Sequence, residues 1–158
     1  MRRIAIAFLK TVLVLAGAGA LAFLLWEPHI EGRNAHATVL AIYFHDPFLA
    51  YAYTASIPFF VALRQGFALL GQAGRGTLFS PAGVKALRTV QYCALAIIGF
   101  VLAGEVLFIL FNDSDDRAGG VFMGLLISFG AAVTAAAATV LQAVLQDAMA
   151  RMKADAAA

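Results

Sequence analysis

The chain has 158 residues, of which 63% are hydrophobic and 13% charged, and a formal net charge of +2. Soluble domains carry about 25% charged residues, so this composition excludes an ordinary soluble domain. Its few, dispersed cations also exclude direct nucleic-acid binding. One cysteine, Cys93, excludes an intrachain disulfide framework and reads as a buried, inert thiol.

Four apolar stretches, 4–26, 47–70, 90–111 and 119–141, each match the ~20 residues that cross a bilayer as helix. The first follows Arg2 and Arg3. Its small residues at 16–20 resemble a signal-peptide cleavage site, but the apolar run continues through 21–26. It is read as an uncleaved helix with Lys10 snorkelling to the nearer face and Trp26 as an interfacial anchor.

The segment 27–46 holds His29, His36 and His45 beside Glu27, Glu31 and Asp46. Histidine spacings of seven and nine residues fit no compact zinc pattern, and no metal is assigned. The apolar piece 38–44 suits either the membrane surface or a short extended strand.

The second helix, 47–70, begins at a cap and first-turn proline, Asp46-Pro47. Phe48, Tyr51 and Tyr53 follow at aromatic-belt depth. Pro58 cannot donate to the Thr54 carbonyl, which predicts a kink, with Thr54 and Ser56 hydroxyls near the freed groups. The loop 71–80 is glycine-rich. Gly71, Gly74 and Gly76 follow no strand and precede no Gly-Lys-Ser/Thr, so it is not a phosphate loop.

Ser80-Pro81 repeats the cap-plus-proline start and predicts a third helix over 81–111, longer than a bilayer needs. Lys85 and Arg88 fall in its headgroup region. The turn 112–117 is short, so helices three and four are antiparallel neighbours. Asp113, Asp115 and Asp116 lack a calcium loop's ligand ladder and read as a solvated acidic turn.

The fourth helix, 119–147, carries Gly120, Gly124, Ser128, Ala132 and Ala136 at every fourth position. That spacing predicts one small-residue packing seam. It serves either a homo-oligomer or, as favoured, another helix of the same chain. Gln142, Gln146, Asp147, Arg151 and Lys153 read as a polar extension.

With the N-terminus inside, nine of the eleven Lys and Arg residues lie on the cytoplasmic side, as the positive-inside rule requires. The expected architecture is an all-α membrane protein. It is one domain, 1–158, a four-transmembrane-helix bundle with both termini cytoplasmic.

Glu105 is the acidic residue well inside a span. It lies six residues before Phe111, about 9 Å along the axis. Arg64 is some 16 Å away in depth at ~1.5 Å per residue, too far to pair with it. Tyr53 and Thr54 lie at its level. Glu105, Tyr53 and Thr54 are therefore the candidate intramembrane polar site. A neutral, hydrogen-bonded carboxyl pinning helix three to helix two is favoured over a protonatable group or cation ligand, since a charge there is costly. Arg64, Arg75, Lys85 and Arg88 form a basic inner surface, and Arg75, Lys85 and Arg88 are the candidate cytoplasmic docking face for anionic lipid or an acidic partner. A topology signal explains the same charges. No nucleophile has a histidine on its own side at a recognisable spacing, so no catalytic residue, cofactor or enzymatic activity is assigned.

Several segments carry a resemblance. They are Glu31-Gly32-Arg33-Asn34, Tyr43-Phe44-His45-Asp46-Pro47-Phe48-Leu49-Ala50-Tyr51, Ile57-Pro58-Phe59-Phe60, Phe79-Ser80, Val84-Lys85-Ala86-Leu87-Arg88, Tyr92-Cys93 and Asp115-Asp116-Arg117-Ala118-Gly119-Gly120. Together the chain resembles the YoaS-like group, a bacterial membrane-protein family of unknown function. The resemblance implies a small four-helix protein of the bacterial inner membrane, with a helix-turn-helix regulator as its cytoplasmic partner. The tail 154–158, mostly alanine, differs from the polar, acidic tails of that group. The expected function is a non-enzymatic membrane protein engaged in membrane-linked regulation. The alternative is a small transporter or permease subunit using Glu105, which with four helices requires a homo-oligomer.

Overall fold

The computed structural model describes residues 2–30, 47–111 and 117–157. They form four helices: α1 (Arg2–Ile30), α2 (Pro47–Arg75), α3 (Pro81–Phe111) and α4 (Arg117–Asp155). Each contains a segment long and apolar enough to cross a membrane. With 39 residues, α4 is about 58 Å long at ~1.5 Å per residue, nearly twice the ~30 Å hydrocarbon core.

The helix boundaries follow local chemistry. α2 runs five residues past the expected end at 70, because Gly71 and Gly74 stay helical. It stops at Gly76, whose φ of +75° is the left-handed conformation of a helix C-terminus. There the Gly76 N–H donates to the Ala73 carbonyl at 3.4 Å and the Thr77 N–H to the Gln72 carbonyl at 3.0 Å, the paired bonds of a Schellman motif. Ser80 starts α3 as expected. Its Oγ accepts from the Gly83 N–H at 3.3 Å, and Pro81 takes the first-turn position that needs no N–H. A Cβ at Gly83 would overlap the Leu78 carbonyl, so the turn folds back tightly only over glycine. α2 continues as helix through Pro58. The neighbouring hydroxyls donate backwards, Thr54 to Ala50 at 2.8 Å and Ser56 to Tyr53 at 2.7 Å.

The helices alternate in direction. Gly17 approaches Leu63 and Gly74 approaches Ile6 across α1 and α2. Gln91 pairs with Gln142 across α3 and α4, while Glu105 meets Gly124 further along. One end therefore carries both chain termini and the α2–α3 turn. It is called the terminal end here, and the opposite one the loop end. Packing follows chain order. The α3–α4 seam is the most extensive, then α2–α3, then α1–α2, and among the described residues no other pair shares more than a marginal contact. Among the described residues the helices stand in an open row with α1 on one flank.

The expected seam of α4 needs correction. Gly124 is buried and Gly120 and Ser128 are half-buried, but Ala132 and Ala136 are exposed. The buried positions are instead Gly124, Ala131, Ala135, Ala138, Gln142 and Leu145. A strict four-residue step advances about 40° beyond a full turn each time, so the stripe winds off the contact face. Alternating steps of three and four hold the seam against a partner helix. α3 answers in the same register with Val84, Leu87, Gln91, Ala94, Ile98 and Glu105.

Candidate functional site

Glu105 sits on the face of α3 that meets α4. A Cβ at Gly124 would overlap its carboxylate, so the glycine makes the room the head group occupies. Glu105 Oε2 is buried and, among the described residues, has no hydrogen-bond partner. In a hydrocarbon setting such a group is costly, which marks it as a functional candidate.

Tyr53 and Thr54 share the depth of Glu105 but not its direction. The Tyr53 hydroxyl donates to the Leu24 carbonyl of α1 at 2.9 Å, and Thr54 donates within α2. The expected pin between α2 and α3 is made by a different residue. The Tyr51 hydroxyl donates to the Phe100 carbonyl, and its ring meets Phe100 edge-on with centroids 5.8 Å apart. A Cβ at Gly104 would lie 3.2 Å from the Tyr51 ring, so that glycine seats it. Of the three expected site residues, Glu105 faces α4, Tyr53 ties α2 to α1, and Thr54 bonds within its own helix. The sequence held a usable signal: Glu105 stands two heptads from Gln91, and both face α4.

Below the seam's midpoint a polar pair joins α3 to α4. Gln142 Nε2 donates to Gln91 Oε1 at 2.9 Å and to the Ala138 carbonyl at 3.2 Å. Beyond it, towards the terminal end, lies a core of large aliphatic side chains. Val84, Leu87 and Leu145 are buried together, with Leu69, Leu78 and Met149 packed on them. Leu145 retains only 2% exposure. Gln72 Oε1 is buried beside this core without a hydrogen-bond partner.

The basic residues at this end fall into two neighbourhoods. Arg75 Nη2 and Lys10 Nζ each lie 3.9 Å from where a Gly71 Cβ would stand. The Lys10 ammonium also sits 4.8 Å from the Phe67 ring centroid, a cation–π distance. Lys85 and Arg88 instead line an open groove of about 510 Å³ between α3 and α4. Arg64 is exposed on α2. The groove was not legible from charge alone, because it depends on which faces of α3 and α4 part company.

The histidine-bearing segment 31–46 and the acidic turn 112–116 lie outside the described residues, as do the side chains of Glu27 and His29.

Four apolar helices in alternating directions, with exposed large apolar side chains on every one, define a multi-pass helical membrane protein. The chain belongs to a family of unknown function. Residues 7–158 match the family described as "Protein of unknown function (DUF2975)". The chain is similar to the "Uncharacterized membrane protein YoaS" of Bacillus subtilis (strain 168), at 36% identity over 150 residues that cover 94% of each chain. No solved structure matches.

Proposed function

We propose that this is a non-enzymatic protein of the bacterial inner (plasma) membrane, with both termini in the cytoplasm, whose terminal end is a docking platform for a soluble partner. The observation that carries the reading is the aliphatic core beyond the Gln91–Gln142 pair. Lipid solvates a leucine about as well as another leucine does, so packing within a bilayer favours small residues. Burying Val84, Leu87 and Leu145 against each other gains most where water is the alternative. From Gln142, α4 continues to Asp155, about 20 Å at ~1.5 Å per residue. This two-helix projection carries Lys85, Arg88, Arg151 and Lys153, with Arg75 on the adjoining end of α2. Its charge suits an acidic surface on a soluble regulator, the kind of partner implied by the resemblance. The excess of cations at this end also supports the cytoplasmic assignment.

The test is affinity purification from native membranes in mild detergent, with mass spectrometry of what co-purifies. A stoichiometric soluble protein is expected, lost when Arg75, Lys85 and Arg88 are together changed to Glu. Retention by that triple variant contradicts the docking face.

The Glu105 geometry favours a second reading, a small transporter or permease subunit acting as a homo-oligomer. A buried carboxyl oxygen without a partner is a group able to take a proton or a cation. In proteoliposomes with an internal pH-sensitive dye, this reading expects a proton leak that Glu105→Gln abolishes while the protein stays folded. Equal flux in both proteins removes Glu105 from the mechanism.

A further inference from the structure

We propose that the groove between α3 and α4 at the terminal end is a binding site for an anionic phospholipid. Lys85 and Arg88 hold the phosphate, and an acyl chain lies along the exposed face of α3. The inference goes beyond the docking reading and stands whether or not a soluble partner exists.

Three observations converge on it. The groove has a volume of about 510 Å³, within the range of small-molecule sites. Its two charged lining residues are Lys85 and Arg88, and no acid lines it; Val84, Thr89, Tyr92 and Met149 provide the rest of the wall used here. Among the described residues neither cation forms an ion pair, so their charge is available to a phosphate. Zwitterionic lipid offers the same phosphate with a compensating ammonium charge, so the pair selects for net negative headgroups.

The second observation is the order of residues along one line of α3. Pro81, Lys85, Arg88, Tyr92, Leu95, Gly99 and Leu102 recur at alternating steps of four and three and are all exposed. They follow the order of a phospholipid: cations at the phosphate, an amphipathic ring at the ester level, then aliphatic surface. Tyr92 is 64% exposed and is the turning point between the charged and apolar parts. From Arg88 to Leu102 the stripe rises about 21 Å at ~1.5 Å per residue, more than half of a ~30 Å hydrocarbon core.

The third observation is open space along the stripe: among the described residues, a Cβ at Gly99 would meet nothing within 4 Å. The groove runs into the exposed apolar stripe at Tyr92, so the surface offers an acyl chain a path as well as a phosphate two cations.

The assignment divides the basic surface. Lys85 and Arg88 line the groove and are within reach of lipid as well as of a soluble partner, whereas Arg75 stands with Lys10 over Gly71 and lies outside the groove lining.

The full-length protein, purified in mild detergent and mixed with equal phosphatidylglycerol and phosphatidylcholine, is examined by native mass spectrometry for retained lipid. Phosphatidylglycerol is expected to be retained preferentially. The double variant Lys85→Gln, Arg88→Gln is expected to lose about tenfold or more of that preference. The Arg75→Gln control and the charge-conserving pair Lys85→Arg, Arg88→Lys keep it. Excess inorganic phosphate leaves the retained lipid in place, since the chain contributes to binding. Equal retention of the two lipids, an unchanged preference in the double glutamine variant, loss with the charge-conserving pair, or displacement by phosphate would each overturn the proposal. Because no soluble partner is present, failure here leaves the docking reading untouched.

Discussion

The α3–α4 interface uses two packing chemistries along one continuous register. Towards mid-span, Ala94 meets Ala131 and Ala135, with Ile97 and Ile98 partly buried against them. Towards the terminal end, Val84 and Leu87 meet Leu145. Ala94 and Leu145 are equally buried, each at 2% exposure, so depth of burial is not what differs. Side-chain volume differs, and with it the source of stability. Small residues let two backbones approach until dispersion contacts and weak polar contacts hold them, which works when the surroundings are hydrocarbon. Large aliphatics remove area from water, which gains most when the surroundings are aqueous. On the proposed docking reading, α4 changes from small to large seam residues where it would leave the bilayer, near the Gln91–Gln142 pair.

The contrast can be broken by mutation. Leu145→Ala opens a cavity at the centre of the terminal-end core and is expected to cost about 2–5 kcal/mol, measured as unfolding free energy in detergent. The account fails at this point if the loss is under ~0.5 kcal/mol, the range of an uninvolved surface change. A smaller effect is expected mid-span, where Ala135→Leu overpacks the close approach and costs about 1–3 kcal/mol. Its sharpest control is Ala132→Leu. Position 132 belongs to the strict four-residue stripe but is exposed, and the change should fall within about 0.5 kcal/mol. Equal effects at 132 and 135 would restore the four-residue seam and contradict the heptad register.

Much of the fold was readable without coordinates, and the misreadings have physical causes. The start of α3 was legible because Ser80-Pro81 is a local signal, satisfied by bonds within four residues. The end of α2 was not. Gly71 and Gly74 look like loop residues, yet they remain helical where α1 packs closely, and only the left-handed Gly76 stops the helix. Depth along an axis could be counted for Glu105, because rise per residue is nearly constant. Direction could not, since a few degrees per residue decide whether a side chain faces α2 or α4. Tyr51 was read as part of an aromatic belt, although its hydroxyl and ring both tie α2 to α3. For the basic residues, sequence separates the two sides of a membrane and not two faces of one end, so the division between Arg75 and the Lys85–Arg88 groove emerged only from the fold.

On the proposed reading, α4 leaves the bilayer beyond Gln142 and presents a folded platform to the cytoplasm. Single cysteines in a Cys93→Ser background, placed at exposed positions 126, 133, 144, 150 and 151 of α4, test it with a membrane-impermeant maleimide. In intact cells none should label. In inside-out vesicles positions 144, 150 and 151 should label while 126 and 133 stay protected. Protection of 144 and 150 alongside 133 would place the aliphatic core inside the membrane, and labelling of 150 and 151 in intact cells would reverse the orientation; either result contradicts the account.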